Sequence, residues 1–189
     1  YMVIPEVSSE RRAYIPFGFL QSTILSSNKL RLLPHATPYD FGVLSSAMHM
    51  AWRRYTCGRL ESRYQYSISV VYKNFPWPES LTPSPSPGGR GEQSAATLRI
   101  RIEAAAQGVL DTRAQFPDSS LADLYDPLTM PPVLIKAHQA LDRAVDAAYG
   151  KRDFRSDAER VAFLFTLYQK YTSLLPGEQS RGPARRRPN

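Results

Sequence analysis

The stretch LTPSPSPGGRGEQS at residues 81–94 constrains this chain more than any other. Its interleaved prolines, glycines and serines remove backbone donors and raise the entropic cost of ordering, so neither helix nor strand is expected to pass through it. It reads as a flexible linker, dividing residues 1–80 from residues 95–175. A second boundary falls at Pro176 and Gly177, because EQSRGPARRRPN holds no apolar side chain large enough to anchor it. Residues 176–189 read as a disordered basic tail.

The two parts differ in pattern. VIPEV, YIPFGF and KLRLLP are short β-branched and aromatic runs separated by polar stretches, as expected of strands or extended loops. Thr37, Pro38 and Asp40 then spell a helix start, with a capping hydroxyl, a proline in the first turn and an acid three residues past the cap. Phe41, Leu44, Met48 and Ala51 or Trp52 continue at helical spacing to Gly58, which predicts one helix over 38–57. A strand is predicted around Ile68–Tyr72, before the prolines of NFPWP. Beyond residue 95 the spacing is helical throughout. One helix covers 96–115, SSLADLYD makes a short turn, and Pro131 and Pro132 open a helix with Leu134, His138, Leu141, Val145 and Tyr149 on one face. Ser156 and Glu159 cap a last helix whose Val161, Leu164, Phe165 and Tyr168 point inward. The fold class is α+β: a small mixed α/β part followed by a bundle of about three to four helices.

Charge is unevenly spread. Residues 1–78 hold nine Lys or Arg against four Asp or Glu, residues 95–175 ten against ten, and residues 176–189 four against one. The excess behind the net charge of +7 therefore sits in the first part and the tail, and a polyanion would meet the first part. A solvated basic surface without a partner has the same composition. No apolar run reaches the roughly 18 residues of a membrane span, and no basic-then-apolar leader opens the chain. A soluble cytoplasmic chain with no membrane partner is expected. Cys57 is the single cysteine and His35, His49 and His138 are scattered, so neither a disulfide nor a metal site is expected. Cys57, His49 and His138 read as buried packing residues.

Catalytic signatures are missing. G-x-S-x-G, H-E-x-x-H, the phosphate-cradling G-x-x-x-x-G-K-[ST] and G-x-G-x-x-G are all absent from the sequence, so catalytic residues and a bound cofactor are not expected in this chain. NFPWP at 74–78 departs from an Asn-Pro-Pro-aromatic motif at Phe75 and reads as a strand-ending structural motif. What the sequence offers instead is arginine interleaved with tyrosine and amides, a composition suited to groove readout and phosphate contact but shared with ordinary protein interfaces.

Specific strings sharpen this. SSERRAYIPFGFL at 8–20, FGVLSSAMHMAWRRYTCGRLESRYQYS at 41–67, VYKNFPWP at 71–78, LADLYDPLTMPPVLIKAHQALDRAVDAAYG at 121–150 and DAERVAFLFTLYQKY at 157–171 closely resemble the C-terminal part of the MmeI-like DNA adenine-N6 methyltransferases. The resemblance implies a target-recognition part followed by a C-terminal helical region, without the catalytic domain. Double-stranded DNA and a methyltransferase domain of the same polypeptide would be the partners, and S-adenosylmethionine the cofactor of that larger protein. It places Tyr55, Cys57 and Arg59 where such domains face base edges, Arg53, Arg54, Arg63, Tyr64 and Lys73 toward backbone or base, and Ser9, Arg11 and Arg12 toward phosphate. A protein-interaction or scaffolding module, with the basic face incidental, is the reading from a different class.

Overall fold

The computed structural model describes residues 1–78, 90–150 and 153–173. The expected tail and most of the expected linker lie outside the described residues.

The first part is built from two small antiparallel sheets and two helices. Strand β1 (Met2–Pro5) lies between β3 (Gly18–Phe19) and β4 (Leu30–Leu33), with Met2 opposite both Phe19 and Leu33. Strand β2 (Val7–Ser8) continues past β1 into a second sheet, where β6 (Arg63–Gln65) lies between it and β5 (Gly58–Leu60). YIPFGF contributes only two residues of strand; Ile15 and Phe17 are buried in the loop before it.

The helix predicted over 38–57 is two helices, α1 (Pro38–Leu44) and α2 (Ala47–Thr56). The Thr37 and Asp40 capping box forms as expected. The break comes from Ser45 and Ser46. The Ser46 hydroxyl donates to the Val43 carbonyl at 2.7 Å and accepts from the His49 backbone N–H, so a side chain replaces a turn of the helical ladder. The next amide, Ala47, donates to an Asp142 carboxylate oxygen at 2.7 Å. The strand expected at Ile68–Tyr72 is a π-helical turn instead. Lys73 N–H donates to the Ile68 carbonyl, five residues back, and the Asn74 amide donates to the Ser69 and Val70 carbonyls, satisfying the end of the turn. Trp52 reaches across to donate to the Val71 carbonyl at 3.0 Å, a tertiary bond that no local pattern encodes.

Helices α3 (Arg90–Ala114), α4 (Leu121–Leu124), α5 (Pro132–Ala148) and α6 (Asp157–Ser173) follow. Helix α3 starts at Arg90, so the end of the stretch read as linker is helical. The prolines and the Gly88-Gly89 pair all precede that point, and a lone Gly91 within a long helix costs only about 1 kcal/mol. Leu134, His138, Leu141 and Val145 are buried on one face of α5, as the spacing predicts, and Gly150 closes the helix with a φ of 78°.

One hydrophobic core runs through both parts. Helix α1 packs on α3, α2 on α6 and α3 on α5, and Phe41, Trp52, Ile102, Leu141 and Leu164 belong to one buried cluster. The α1 contact is close because Gly42 has no side chain: a Cβ there would lie 2.8 Å from Ile102 Cγ2. A polar spine crosses the same boundary. Arg113 donates to the Tyr125 hydroxyl and the Phe17 carbonyl, and the Tyr125 hydroxyl meets His138 Nε2 at 2.7 Å. His138 stacks on Tyr14, whose hydroxyl donates to Asp142 at 2.6 Å.

Candidate nucleic-acid interface

The β5–β6 hairpin places β5 at the exposed edge of the second sheet. Leu60 pairs with Arg63, which leaves Glu61 and Ser62 as a two-residue turn. Glu61 has a φ of 56°, a conformation that usually selects glycine or asparagine. Along the hairpin Arg59, Leu60, Glu61, Ser62 and Arg63 are all exposed, whereas Tyr64 is buried. Arg59 donates to Glu10 at 3.0 Å and to the Ser62 carbonyl, and Arg63 donates to Glu61 at 2.8 Å. Pairs this exposed are worth about 0–1 kcal/mol each, so exchanging a carboxylate for a phosphate or base edge costs little.

Beside the hairpin, residues 9–12 form the opposite wall of a groove of about 400 Å³, with Ser62 on one side and Asp126, Pro127 and Leu128 of the α4–α5 connection at its end. Arg11 is exposed, and no described acid pairs with it. Arg12 is partly buried and donates to the Ala122 carbonyl at 3.3 Å, which ties this loop to α4. Asp126 accepts from the Leu128 N–H and holds that connection in shape, with Leu128 almost fully exposed.

The structure thus brings together Ser9, Arg11, Arg12, Arg59 and Arg63 of the residues selected from sequence. Tyr55 is exposed on the last turn of α2. Lys73 is exposed in a separate open cleft of about 540 Å³, shared with Gln65 and the Glu6–Arg31 ion pair. Three selected residues turn inward. Arg54 pairs with Asp157 of α6 and donates to the Ala13 carbonyl, bracing the first part against the last helix. Arg53 is 1% exposed and Tyr64 7%. The Arg53 guanidinium sits 4.3 Å from the Tyr64 ring centre, and Arg59 sits 4.0 Å from the same ring. Among the described residues none of the three Arg53 nitrogens meets an oxygen or nitrogen acceptor, the weakly accepting Cys57 sulfur being the one group within reach, and burial lowers its pKa to about 10. Desolvation pushes the neighbouring Cys57 thiol up, away from reactive thiolate character.

Glu10, Glu61, Ser62 and residues 126–128 were not among the selected residues. Glu61 in the turn and Arg63 at the start of β6 are two positions apart, so their pairing is local and within reach of the sequence; Glu10 meets Arg59 across 49 positions, which it does not. The histidines are structural. His49 Nδ1–H donates to the Leu44 carbonyl and its Nε2 accepts from the Tyr66 hydroxyl, and burial takes the pKa of both His49 and His138 down to about 3. Among the described residues no group of His, Cys, Asp or Glu is placed to hold a metal, and no helix is long and apolar enough to cross a membrane.

Comparison with known proteins places this geometry. The MmeI target recognition domain matches residues 1–79, and the MmeI C-terminal domain matches residues 96–176. DNA methyltransferase A of Bacillus subtilis (strain 168) is 39% identical over 171 residues, 90% of this chain and 18% of that protein. The solved structure of the Type IIL restriction-modification enzyme MmeI in complex with DNA has a TM-score of 0.79 and 47% identity, covering 91% of this chain and 21% of that one. The chain spans about a fifth of the length of these relatives. With two consecutive family regions matched along its length and the fold reproduced, the chain belongs to the MmeI family, matching its target recognition domain over residues 1–79 and its C-terminal domain over residues 96–176.

Proposed function

We propose that this chain reads duplex DNA for an MmeI-like adenine-N6 methyltransferase whose catalytic domain is part of the same polypeptide and works in the cytoplasm. The observation that carries the reading is the arginine-rich groove edge formed by the exposed hairpin and residues 9–12. Arg11 and the Ser9 hydroxyl suit phosphate oxygens. At the hairpin tip an acceptor and a donor fork lie side by side. Arginine pairs bidentately with guanine O6 and N7, and a carboxylate accepts from cytosine N4, so Arg63 and Glu61 together complement the two bases of one G·C pair. Arg59 adds a second fork at the hairpin base. A relative of the same fold is described in complex with DNA.

S-adenosylmethionine would be bound elsewhere in that polypeptide. Cofactor loops of the Gly-rich kind need a strand that turns directly into a helix through glycines. Among the described residues β4 leads into α1 through Pro34, His35, Ala36 and Thr37, with no glycine, so these residues do not fit the cofactor. The chain's part in the reaction is to hold the duplex in register while the target adenine is flipped into the catalytic domain. The alternative, a helical module that docks on other domains with the basic face incidental, is disfavoured because a relative of the same fold is described in complex with DNA.

The test is a mobility shift of this chain with duplex DNA over a salt series. Affinity that falls steeply as salt rises is expected; absence of binding, or binding indifferent to salt, would overturn the reading.

A further inference from the structure

A fully buried guanidinium with no hydrogen-bond acceptor is rare, because five N–H donors and a charge have been taken out of water without replacement. Arg53 is close to that state: among the described residues none of its nitrogens meets an oxygen or nitrogen acceptor, and only the weakly accepting Cys57 sulfur lies within reach. A core built for stability alone would place an apolar side chain there, since replacing buried charges by well-packed apolar groups is often neutral or stabilising. What Arg53 does touch is informative. It leaves the last turn of α2, runs beneath the β5–β6 hairpin and lies against the ring of Tyr64, with the Cys57 thiol beside it. Tyr64 sits directly opposite Arg59 in the hairpin ladder, and the Arg59 guanidinium rests on the same ring. A buried and a surface arginine thus share one aromatic ring, which with Glu10 and the Ser62 carbonyl frames the surface one. Tyr64 also pairs with Ser8, which leads into residues 9–12, so its strand joins the hairpin to the opposite side of the groove.

We infer that Arg53 is a positioning residue for DNA discrimination: through the Tyr64 ring it sets where Arg59 and the hairpin stand, and it is retained at a cost to the stability of the core. The inference rests on the DNA-reading function proposed above and goes beyond it by assigning specificity to a side chain that cannot itself reach DNA. Cation–π contact supplies the coupling, and it is strongest when the cation is desolvated, as Arg53 is.

The experiment uses the whole chain and a duplex library with a randomised core, measuring sequence enrichment in the bound fraction, salt dependence and melting temperature. Arg53→Met should melt at or above the wild-type temperature, keep the wild-type salt dependence, and lose about tenfold or more of the enrichment at one base pair or more, the scale of a single base contact. Arg53→Lys should restore part of that enrichment. Tyr64→Leu, which removes the ring, should lose enrichment at the same base pair as Arg53→Met. Unchanged enrichment in a folded Arg53→Met chain would overturn the inference and leave the DNA-reading function standing. An Arg53→Met chain that unfolds would also overturn it, by making the guanidinium a stability element. Salt-independent binding or no binding by the wild-type chain would instead remove the function and the inference together.

Discussion

Replacing Gly42 by alanine tests the docking of the two parts at its tightest point. Within an exposed helix, Gly→Ala gains about 1 kcal/mol from backbone entropy. Here the new methyl would meet Ile102 Cγ2 at 2.8 Å, Ala106 Cβ at 3.2 Å and Leu141 Cδ1 at 3.3 Å, three walls supplied by α3 and α5. Ile102 is fully buried and β-branched, so it has no second rotamer to move into. Overpacking of this kind costs about 1–3 kcal/mol, and with a contact this short the upper half of that range applies. The clash outweighs the propensity, for a net loss of about 1–2 kcal/mol. In a domain of this size that lowers the melting temperature by about 2–8 °C. Urea denaturation of Gly42→Ala, Ile102→Ala and the double variant measures it as a cycle. Gly42→Ala should destabilise the wild-type chain yet stabilise the Ile102→Ala chain, where its methyl enters the space left by the isoleucine. A gain in stability from Gly42→Ala in the wild-type background would refute the close approach of α1 to α3.

Three further outcomes follow from the same structure. Protons bind His49 and His138 in the unfolded chain below pH 6.5 but reach the folded chain only near pH 3, so stability falls as pH drops through that window. Asp142, buried and pushed up to about 6, takes its proton earlier in the folded state and opposes the loss below pH 6. Two histidines outweigh one aspartate, and chemical denaturation at pH 7 and pH 5 should show about 2–3 kcal/mol less stability at the lower pH; equal stability would contradict the buried neutral histidines. Arg59→Ala should cost about 1–3 kcal/mol of discrimination at one base pair, whereas a phosphate-binding arginine would weaken all duplexes alike and lower the salt slope by about one. Glu61→Gly relieves the left-handed backbone and should raise stability by up to about 1 kcal/mol while reducing preference for one G·C pair; unchanged preference would remove Glu61 from the reading surface.

Local chemistry was legible in the sequence and long-range pairing was not. The Thr37–Asp40 box, the apolar stripe of α5 and the glycine closing it are each encoded within a few residues, and they form as read. The Ser45-Ser46 break is encoded locally too, but its competing helical spacing is strong, and the Asp142 carboxylate that completes it comes from 95 residues away. Arg53 and Arg54 are neighbours in sequence with opposite fates. Arg53 lies one turn after His49 on the buried face of α2, a periodicity that already points inward. Arg54 finds Asp157 across 103 positions, which nothing local foretells. The groove shows the same division: its arginines stand out by composition, while its far end, Asp126 to Leu128, belongs to the helical part and is joined only by the fold.

Amide hydrogen exchange of the chain with and without duplex DNA tests most directly where the duplex lies. Exchange at residues 9–12 and 58–65 should slow when DNA is added, with the connection at residues 126–128 following as the groove fills. The outer face of α3 around Ile100 should exchange unchanged. Protection confined to α3 or to the Lys73 cleft, with the hairpin still exchanging freely, would contradict the assignment of the hairpin groove as the DNA-reading surface.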